Sequence, residues 1–407
     1  MASNLNQPGQ EKKQPTVRGM NNRPNVTILN ELLSSLIRIP SVNPDGDPGT
    51  GSENTGELKM AKAVGNYLEK IGAEVWYDEV EPDRPNVIGR FPGFEGKPQI
   101  LFGPHLDTVG VGGMTVDPFG GKSVDGKIYG RGASDTKGTL AAMLWALSEI
   151  GAEKIRELDI GVTFAGFMGE ETGQPGSRHF AKKYGNEYSF ALVGEPTGNN
   201  LVYRHKGTLW LRVTSTGQAA HGSMPELGDS AISKMVELIR LLESDFRSDL
   251  SNVEYFDELL GYPTMNIGVI AGGTRTNIVS EECTIEIDFR LTPQLGGDEA
   301  LNLFNQFLSK HDFSEIKTDI KLRCEPLNTS ADNPFIEVLS TLSNGPELVG
   351  APWFCDAAVL SAEGGIPAVA AGPGHIDQAH TADEWIKEKD LAEGAIFYKE
   401  FLERTKI

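Results

Sequence analysis

The chain has 407 residues, enough for two or three domains, and 39% of them are hydrophobic, enough for a substantial core. Its formal net charge at pH 7 is −20, which disfavours nucleic acid and anionic membrane surfaces as partners, because both attract basic proteins. No run of about 18 apolar residues occurs, so the sequence predicts no membrane span. Three cysteines without CxxC spacing indicate a reducing, cytoplasmic location.

Residues 1–25 are polar and rich in Asn, Gln and Pro, without the apolar segment of a signal peptide, so we expect a disordered tail. Beyond it, segments with helical spacing alternate with apolar strands. Helices are predicted in VTILNELLSSLIRI, ELKMAKAVGNYLEKIG and TKGTLAAMLWALSEIGA, and strands in AEVWYDEV, NVIGRF, PQILFGPHLDT, DIGVTFAGFMG and FALVGEPT. This alternation predicts an α/β fold with a mostly parallel sheet.

Residues 201–327 have a different pattern. Strands and helices follow there in the order β-α-β-β-α-β, which is the order of a ferredoxin-like α+β unit. The α/β pattern returns after Pro326 and ends in a final helix, DLAEGAIFYKEFLER. The sequence therefore predicts one α/β domain, residues 26–200 and 328–407, interrupted by a smaller domain at residues 201–327.

Acidic and histidine side chains follow the ends of several predicted strands, and two more histidines lie near the C-terminus. They are His105, Asp107, Asp135, Glu170, Glu171, Glu195, His375 and His380. Sites in open α/β sheets form outside the carboxyl ends of the strands, where buried charge is costly unless it is paired or bound to metal. Mixed histidine and carboxylate ligands suit a zinc-type site, and the acids outnumber the needs of one tetrahedral ion. Two ions that share one acid are the simplest interpretation.

The adjacent Glu170 and Glu171 end an apolar strand in the motif GEET. Neighbouring residues beyond a strand end can point in different directions, so one glutamate can bind a metal ion while the other accepts a proton from an attacking water. The spacing does not say which glutamate does which. Taken alone, such a pair is more often a solvated loop, and the His105-x-Asp107 pair is more often a surface hydrogen bond. Their position among the other motifs favours the metal site.

Eight motifs, in order and with sensible spacing, resemble the M20 family of metallopeptidases and deacylases. They are PHLDTV, GRGASDTKG, GEETG, GEPT, AHGSMPELG, GGTRTNIV, DFR and GPGHIDQAHTADEW. Within the family, the group of acetylornithine deacetylases and succinyl-diaminopimelate desuccinylases is the most similar. The resemblance implies a zinc-peptidase-like catalytic domain, interrupted by a ferredoxin-like lid and dimerisation domain, in a cytoplasmic homodimer.

The resemblance also implies roles for residues at matching positions. Glu170 would be the general base, and Asp107 would orient a metal-binding histidine. In the inserted domain, His221 would reach across a dimer to stabilise the oxyanion, whereas Asn277 and Arg290 would bind the carboxylate of the substrate. The implied ligands of two Zn²⁺ ions, with Co²⁺ or Mn²⁺ as alternatives, are His105 and Glu195 for one ion, Glu171 and His380 for the other, and Asp135 for both. The context AH-x-x-DE favours His380 over His375.

The expected activity is hydrolysis of the amide bond of an N-acyl amino acid, with N-acetylornithine as the first choice. N-succinyl-diaminopimelate and the dipeptides or carboxypeptidase substrates of the same family are alternatives. A non-catalytic binding relative is a remote alternative, because every implied ligand and the base are present. The segment LVGAPWFCDAAVLSA departs from the pattern of the similar enzymes, so the specificity for acyl group and side chain stays open. No phosphate loop of the type G-x-x-x-x-G-K-[ST] and no G-x-S-x-G motif occurs.

Overall fold

The computed structural model describes residues 25–45, 49–343 and 345–406. All but the last residue of the predicted tail, residues 1–25, lies outside the described residues, so its disorder stays a prediction. Within the described residues, no helix combines the length and the apolar character that crossing a bilayer requires.

Helices and strands alternate through most of the described chain. The helices are α1 (Val26–Ile37), α2 (Leu58–Lys70), α3 (Lys137–Ile150), α4 (Ala152–Glu157), α5 (Pro175–Tyr184), α6 (Ala231–Leu241), α7 (Arg247–Leu250), α8 (Gly297–Lys310), α9 (Pro334–Ser340), α10 (Asp356–Ala362) and α11 (Glu388–Arg404). The strands are β1 (Glu74–Glu81), β2 (Arg84–Arg90), β3 (Gln99–Pro104), β4 (Lys122–Val124), β5 (Lys127–Tyr129), β6 (Gly161–Gly166), β7 (Phe190–Gly194), β8 (Leu201–His205), β9 (Gly207–Thr216), β10 (Thr264–Gly272), β11 (Glu282–Leu291), β12 (Lys317–Cys324), β13 (Leu327–Asn328), β14 (Leu348–Ala351), β15 (Ala368–Ala370) and β16 (Trp385–Lys387).

The largest sheet is mixed, with parallel strands at its centre. Its strand order is β1-β2-β6-β3-β7-β15-β8-β13, and β14 pairs with β8. The pairs β6–β3, β3–β7 and β7–β15 are parallel, whereas the pairs β1–β2, β2–β6, β15–β8 and β8–β13 are antiparallel. A smaller sheet joins β4, β5 and β16. The predicted α/β fold class is therefore confirmed; the sheet is mixed, with parallel pairs in its middle and a further parallel pair, β14–β8, near one edge.

Helices cover both faces of the large sheet. Ile100 and Phe102 of β3 belong to a core shared with α1, α2, α3 and α11, whereas Leu101 between them belongs to a second core shared with α5 and α10. This alternation follows from the two-residue side-chain period of a strand. Burial on both faces explains why β3, β6 and β7 are almost continuously apolar. Because these strands are parallel, their carboxyl ends lie at one edge of the sheet.

The segment from β9 to β12 has the predicted β-α-β-β-α-β order. Its four strands form an antiparallel sheet in the order β10-β11-β9-β12. Leu211 and Ile287 belong to the core that this sheet shares with α6 and α8, together with Met235 and Phe304. The next residue of β9, Trp210, is 40% exposed on the opposite face. Helices on one face of a four-stranded antiparallel sheet are the arrangement of a ferredoxin-like unit.

The chain enters the four-stranded sheet a few residues later than the change in sequence pattern. The segment that begins at residue 201 forms two strands, because β8 pairs with β13, β14 and β15 in the large sheet and only β9 belongs to the small one. A side chain at Gly207 would lie 2.5 Å from the backbone oxygen of Cys324, so the outgoing and returning segments pass each other closely. The predicted insert, residues 201–327, therefore starts with a strand of the large sheet, and its boundaries remain a prediction.

Candidate metal centre

Several loops that carry predicted site residues leave the same edge of the large sheet, after β3, β6 and β7. β3 and β7 pair in parallel up to their last residues, so the residues that follow, His105 and Glu195, leave the sheet side by side. His105 also forms a parallel bridge with Phe167, just beyond β6, and this segment leads three residues later to Glu170. The parallel register thus brings together motifs that lie far apart in the sequence.

Histidine and carboxylate side chains meet at this edge. One ligand atom each from His105, Asp135 and Glu171 lies within 4.8 Å of the other two. His105 Nε2 is 3.0 Å from Asp135 Oδ1. His380 Nε2 is 3.0 Å from Glu171 Oε2 and 3.6 Å from Asp135 Oδ2, so Asp135 lies between the two histidines. These side chains form a group that could hold a metal ion.

Of the two C-terminal histidines, His380 contacts this group. His375 is exposed, and its Nε2 lies 3.9 Å from Asp390 Oδ2. The hydrogen bond to Glu171 is the largest cause that raises the pKa of His380. The sequence context AH-x-x-DE favoured the histidine that contacts the acids.

A hydrogen bond at the ring nitrogen that faces away from Asp135 fixes the orientation of His105. Its Nδ1 is 3.0 Å from the backbone oxygen of Asp107. Because a carbonyl oxygen only accepts, Nδ1 carries a hydrogen, which leaves Nε2 as the ring nitrogen that faces the acids and could bind a metal ion. The Asp107 carboxylate accepts hydrogen bonds from Asn43 Nδ2 at 2.7 Å and from the backbone nitrogens of Glu170 and Glu171 at 3.0 and 3.1 Å. Asp107 therefore joins the loops that carry His105 and the two glutamates.

The buried acids at this edge of the sheet fit metal ions. Glu171 Oε1 and Glu195 Oε1 are buried, and neither has a hydrogen-bond partner among the described residues. Burial is the largest cause that raises the pKa of both glutamates, and the negative charge of Asp135 raises them further. A buried carboxylate oxygen without a donor is costly unless a cation compensates it. The donor set of imidazole and carboxylate suits zinc or a similar divalent ion.

Glu170 lies beside this group in a tight loop. Gly169 and Gly173, with φ of 74° and 101°, bracket the short 3₁₀ turn Glu170–Thr172, a backbone shape that glycine adopts without strain. The Glu170 carboxylate accepts a hydrogen bond from Gln174 Nε2 at 3.2 Å. Burial is the largest cause that raises its pKa well above the ordinary value, although the charge of His105 opposes the shift. Glu170 is thus held in a structured, hydrogen-bonded loop rather than in a solvated one.

Glu384, which the sequence analysis did not single out, holds the loop that carries Asp135. It is fully buried, directly before β16, and β16 pairs with β5, which leads into that loop. Glu384 Oε2 accepts from Arg131 Nη1 and the Gly132 nitrogen, both at 2.9 Å. Glu384 Oε1 accepts from the backbone nitrogens of Ser134 at 2.7 Å and Asp135 at 2.9 Å. The available signal was its place in HTADEW, four residues after His380.

The predicted substrate residues lie on the small sheet and its loops. His221 is exposed, with Nδ1 2.7 Å from Ser223 Oγ. Asn277 is also exposed, and its backbone oxygen accepts from the residue after His221. Arg290 is half-buried, pairs with Asp288 at 3.0 Å and lies 5.4 Å from the ring of Phe354. Within the described part of the chain, no hydrogen bond or ion pair joins these residues to the metal group.

The sequence profile of peptidase family M20/M25/M40 matches residues 101–404. The chain belongs to this family. It is therefore a metal-dependent hydrolase of the M20 type, and the M20 resemblance of the sequence motifs is confirmed.

Two relatives and one solved structure of the family are similar over most of the chain. A protein named acetylornithine deacetylase from Proteus mirabilis (strain HI4320) is 30% identical over 370 residues, which cover 88% of this chain and 91% of the relative. A protein named probable succinyl-diaminopimelate desuccinylase from Staphylococcus aureus (strain MSSA476) is 27% identical over 376 residues, covering 84% and 90%. The crystal structure of an M20 family metallo-carboxypeptidase from Sulfolobus solfataricus has a TM-score of 0.74 at 20% identity, covering 92% of this chain and 98% of that one, so the two share the fold.

Proposed function

We propose that this M20 hydrolase uses two metal ions to cleave the amide bond of an N-acyl amino acid, with N-acetylornithine as the first candidate substrate. The observation that carries the proposal is the group of His105, Asp135 and Glu171, whose ligand atoms lie within 4.8 Å of one another. A second ion is supported by the unpartnered buried oxygens of Glu171, in this group, and of Glu195, which follows β7 at the same edge of the sheet. The similarity to a protein named acetylornithine deacetylase supports the substrate class.

Five side chains would hold the two ions. They are His105 and Glu195 for one ion, Glu171 and His380 for the other, and Asp135 between both. Zinc is the first candidate, and cobalt or manganese would suit the same donors. When bound, such ions polarise the acyl carbonyl and lower the pKa of water.

Glu170 would carry out the proton transfers of the reaction. Its carboxylate takes a proton from water as the oxygen of that water forms a bond to the acyl carbon. It then gives the proton to the amine nitrogen as the carbon–nitrogen bond breaks, which yields a carboxylic acid and an amino acid. A pKa raised by burial suits a carboxyl group that must hold the proton between these two steps. Asp107 would keep His105 oriented throughout.

The small sheet would serve as a lid and dimerisation domain. Arg290 and Asn277 would bind the α-carboxylate of the substrate, and His221 of a second subunit would donate a hydrogen bond to the oxyanion. The edge strand β10 supports a dimer, because Val269 and Ile270 are 50% and 57% exposed there. An apolar edge strand with free backbone groups is suited to cover by a second copy of the chain.

The dimer can be tested by complementation. His221→Ala and Glu170→Gln should each be inactive, and mixing the two proteins should restore partial activity, because one site of each mixed dimer keeps both native residues. Sedimentation of the wild type should give a dimer. A monomer with full activity would contradict this part of the proposal.

Desuccinylation is a second candidate, because the chain is 27% identical to a protein named probable succinyl-diaminopimelate desuccinylase. A succinyl group adds a second carboxylate, which would need a further cation in the site. The deciding experiment is turnover of N-acetylornithine, N-succinyl-diaminopimelate and the dipeptide Ala-Gly by the metal-loaded protein. Fastest turnover of N-acetylornithine supports the proposal. Fastest turnover of the succinyl compound or the dipeptide would replace the substrate and keep the metal chemistry.

A further inference from the structure

We propose that Gln174 is a positioning residue that fixes the Glu170 carboxylate for proton transfer, and that Cys324 of β12 holds Gln174 in turn. The inference rests on the proposed role of Glu170 as the base. It adds two residues, one from the loop before α5 and one from the end of β12, to the machinery of the same reaction.

A chain of three hydrogen bonds reaches Glu170 from behind. Arg178 Nη2 is 3.3 Å from Cys324 Sγ, Cys324 Sγ is 3.0 Å from Gln174 Oε1, and Gln174 Nε2 is 3.2 Å from Glu170 Oε1. A guanidinium can only donate, so the sulfur accepts from Arg178 and turns its own hydrogen towards the amide oxygen. The amide nitrogen of Gln174 is thereby directed to Glu170. The chain thus determines which end of the amide faces the carboxylate.

The surroundings hold this chain in one arrangement. Gln174 is fully buried and Cys324 is 2% exposed. Burial is the main cause that raises the pKa of Cys324 to about 12, so the thiol keeps its hydrogen at neutral pH. Gln174 has a φ of 62°, and its backbone nitrogen donates to the oxygen of Gly169 at 3.0 Å, which closes the loop around the two glutamates. Hydrogen bonds therefore hold both the backbone of Gln174 and its side-chain amide, through the amide oxygen and the amide nitrogen.

The chemistry of an amide suits this position. A cationic donor bonded directly to Glu170 would weaken it as a proton acceptor more than a neutral amide does, so the amide orients the carboxylate at a smaller cost to its basicity. Gln174 Nε2 donates to one lone pair of Glu170 Oε1 and leaves the other oxygen of that carboxylate free to accept a proton. The Gln174 end of the bond is fully buried, and a low local dielectric strengthens a hydrogen bond.

Cys324 ties this loop to the small sheet. It is the last residue of β12, where it pairs with Thr208 of β9, and the chain re-enters the large sheet three residues later at Leu327. The orientation of Glu170 therefore depends on the position of β12, and with it of the small sheet, relative to the loop that carries Gln174.

The test compares kcat, KM and bound metal in full-length, metal-loaded variants, with the substrate that is turned over fastest in the panel above. Gln174→Met keeps the length of the side chain and removes the donor. We expect kcat to fall about 10- to 100-fold, in the range known for partners of active-site ligands, with KM unchanged within about twofold and two metal ions retained. A wild-type kcat in folded Gln174→Met would overturn the inference, as would a loss that appears in KM or in metal content instead of kcat.

Two variants of Cys324 test the hydrogen bond between Cys324 and Gln174. Cys324→Ala should lower kcat, and Cys324→Ser, which keeps a donor and an acceptor, should restore most of it. Cys283→Ala is the matched control, because Cys283 is a buried free thiol of β11 that is not part of the chain of hydrogen bonds, and its kcat should stay at the wild-type value. Equal losses in Cys283→Ala and Cys324→Ala would contradict the specific role of Cys324.

Comparing the single variants Glu170→Gln and Gln174→Met separates this inference from the assignment of the base. An active Glu170→Gln protein would overturn the assignment of the base itself. An inactive Glu170→Gln protein with normal Gln174→Met would overturn only the role of Gln174.

Discussion

Replacing Glu384 by glutamine tests whether the buried carboxylate behind Asp135 organises the metal centre. Glu384 accepts four hydrogen bonds, two at each oxygen, from Arg131 and three backbone nitrogens at 2.7–2.9 Å. A glutamine has one acceptor oxygen, so its amide nitrogen must face two donors whichever way it is turned. The loop would have to move to relieve this conflict, and Asp135 would move with it.

The size of the effect follows from these contacts. Removing one partner of a buried ion pair costs about 3–5 kcal/mol, because the other charge is left uncompensated. The four hydrogen bonds are part of this cost and are not added to it, since they act as one unit. Displacing the partner of a ligand lowers metal affinity about 10- to 100-fold, or about 1.4–2.7 kcal/mol. Glu384→Gln should therefore show both a stability loss in the metal-free protein and weaker metal binding.

The assay measures both quantities on the same protein. Denaturant unfolding in the presence of a chelator gives the stability, and titration of the refolded metal-free protein with Zn²⁺ gives the affinity. Asp257→Asn is the matched control, because Asp257 is also buried and accepts from an arginine, Arg204, and from two backbone nitrogens. The control should lose stability and keep its metal affinity. Unchanged metal affinity in Glu384→Gln would refute the proposed link to Asp135.

Three further predictions address the base, the substrate and acid stability. Glu170→Gln should abolish turnover and keep two metal ions, whereas Glu171→Gln should lose one ion. Metal analysis combined with kinetics checks both variants. A substantial rate in Glu170→Gln would contradict its assignment as the base. Arg290→Ala should lower kcat/KM by about 2–5 kcal/mol for a carboxylate substrate and much less for the matching amide; equal losses would make Arg290 structural. Burial lowers the pKa of His205 to about 4, so as the pH falls the unfolded chain takes up this proton before the folded chain does. The free energy of unfolding should therefore fall by roughly 3 kcal/mol between pH 6.5 and pH 4. Denaturant unfolding of the metal-free protein against His205→Gln isolates this slope, and identical pH profiles would contradict it.

The sequence predicts the parts of the molecule that follow from local patterns. The apolar runs that end in His105, Glu170 and Glu195 correctly indicate strands whose ends meet, because parallel pairing aligns carboxyl ends at one edge. The β-α-β-β-α-β order is likewise visible as alternation and helical spacing. These features depend on neighbours a few residues apart.

Contacts between distant segments are not visible in such patterns. Glu384 acts on a loop about 250 residues earlier, and Asn43 donates to Asp107 64 residues later. In the sequence Gln174 is an ordinary loop residue, and only the structure shows its contact with Cys324, which lies 150 residues later in the chain. The break between β8 and β9 is not visible in the local pattern for the same reason, because the pairing of β8 with β13, β14 and β15 decides it. Three-dimensional pairing determines these assignments.

The most direct test of the two-metal deacylase is a titration of the metal-free protein with Zn²⁺ while acetate release from N-acetylornithine is measured. We expect no release in the presence of a chelator and a rate that reaches its plateau at two ions per chain. Release at the full rate in the chelator, or a plateau reached at one ion, would contradict the two-metal chemistry. No release at two bound ions would contradict the choice of substrate.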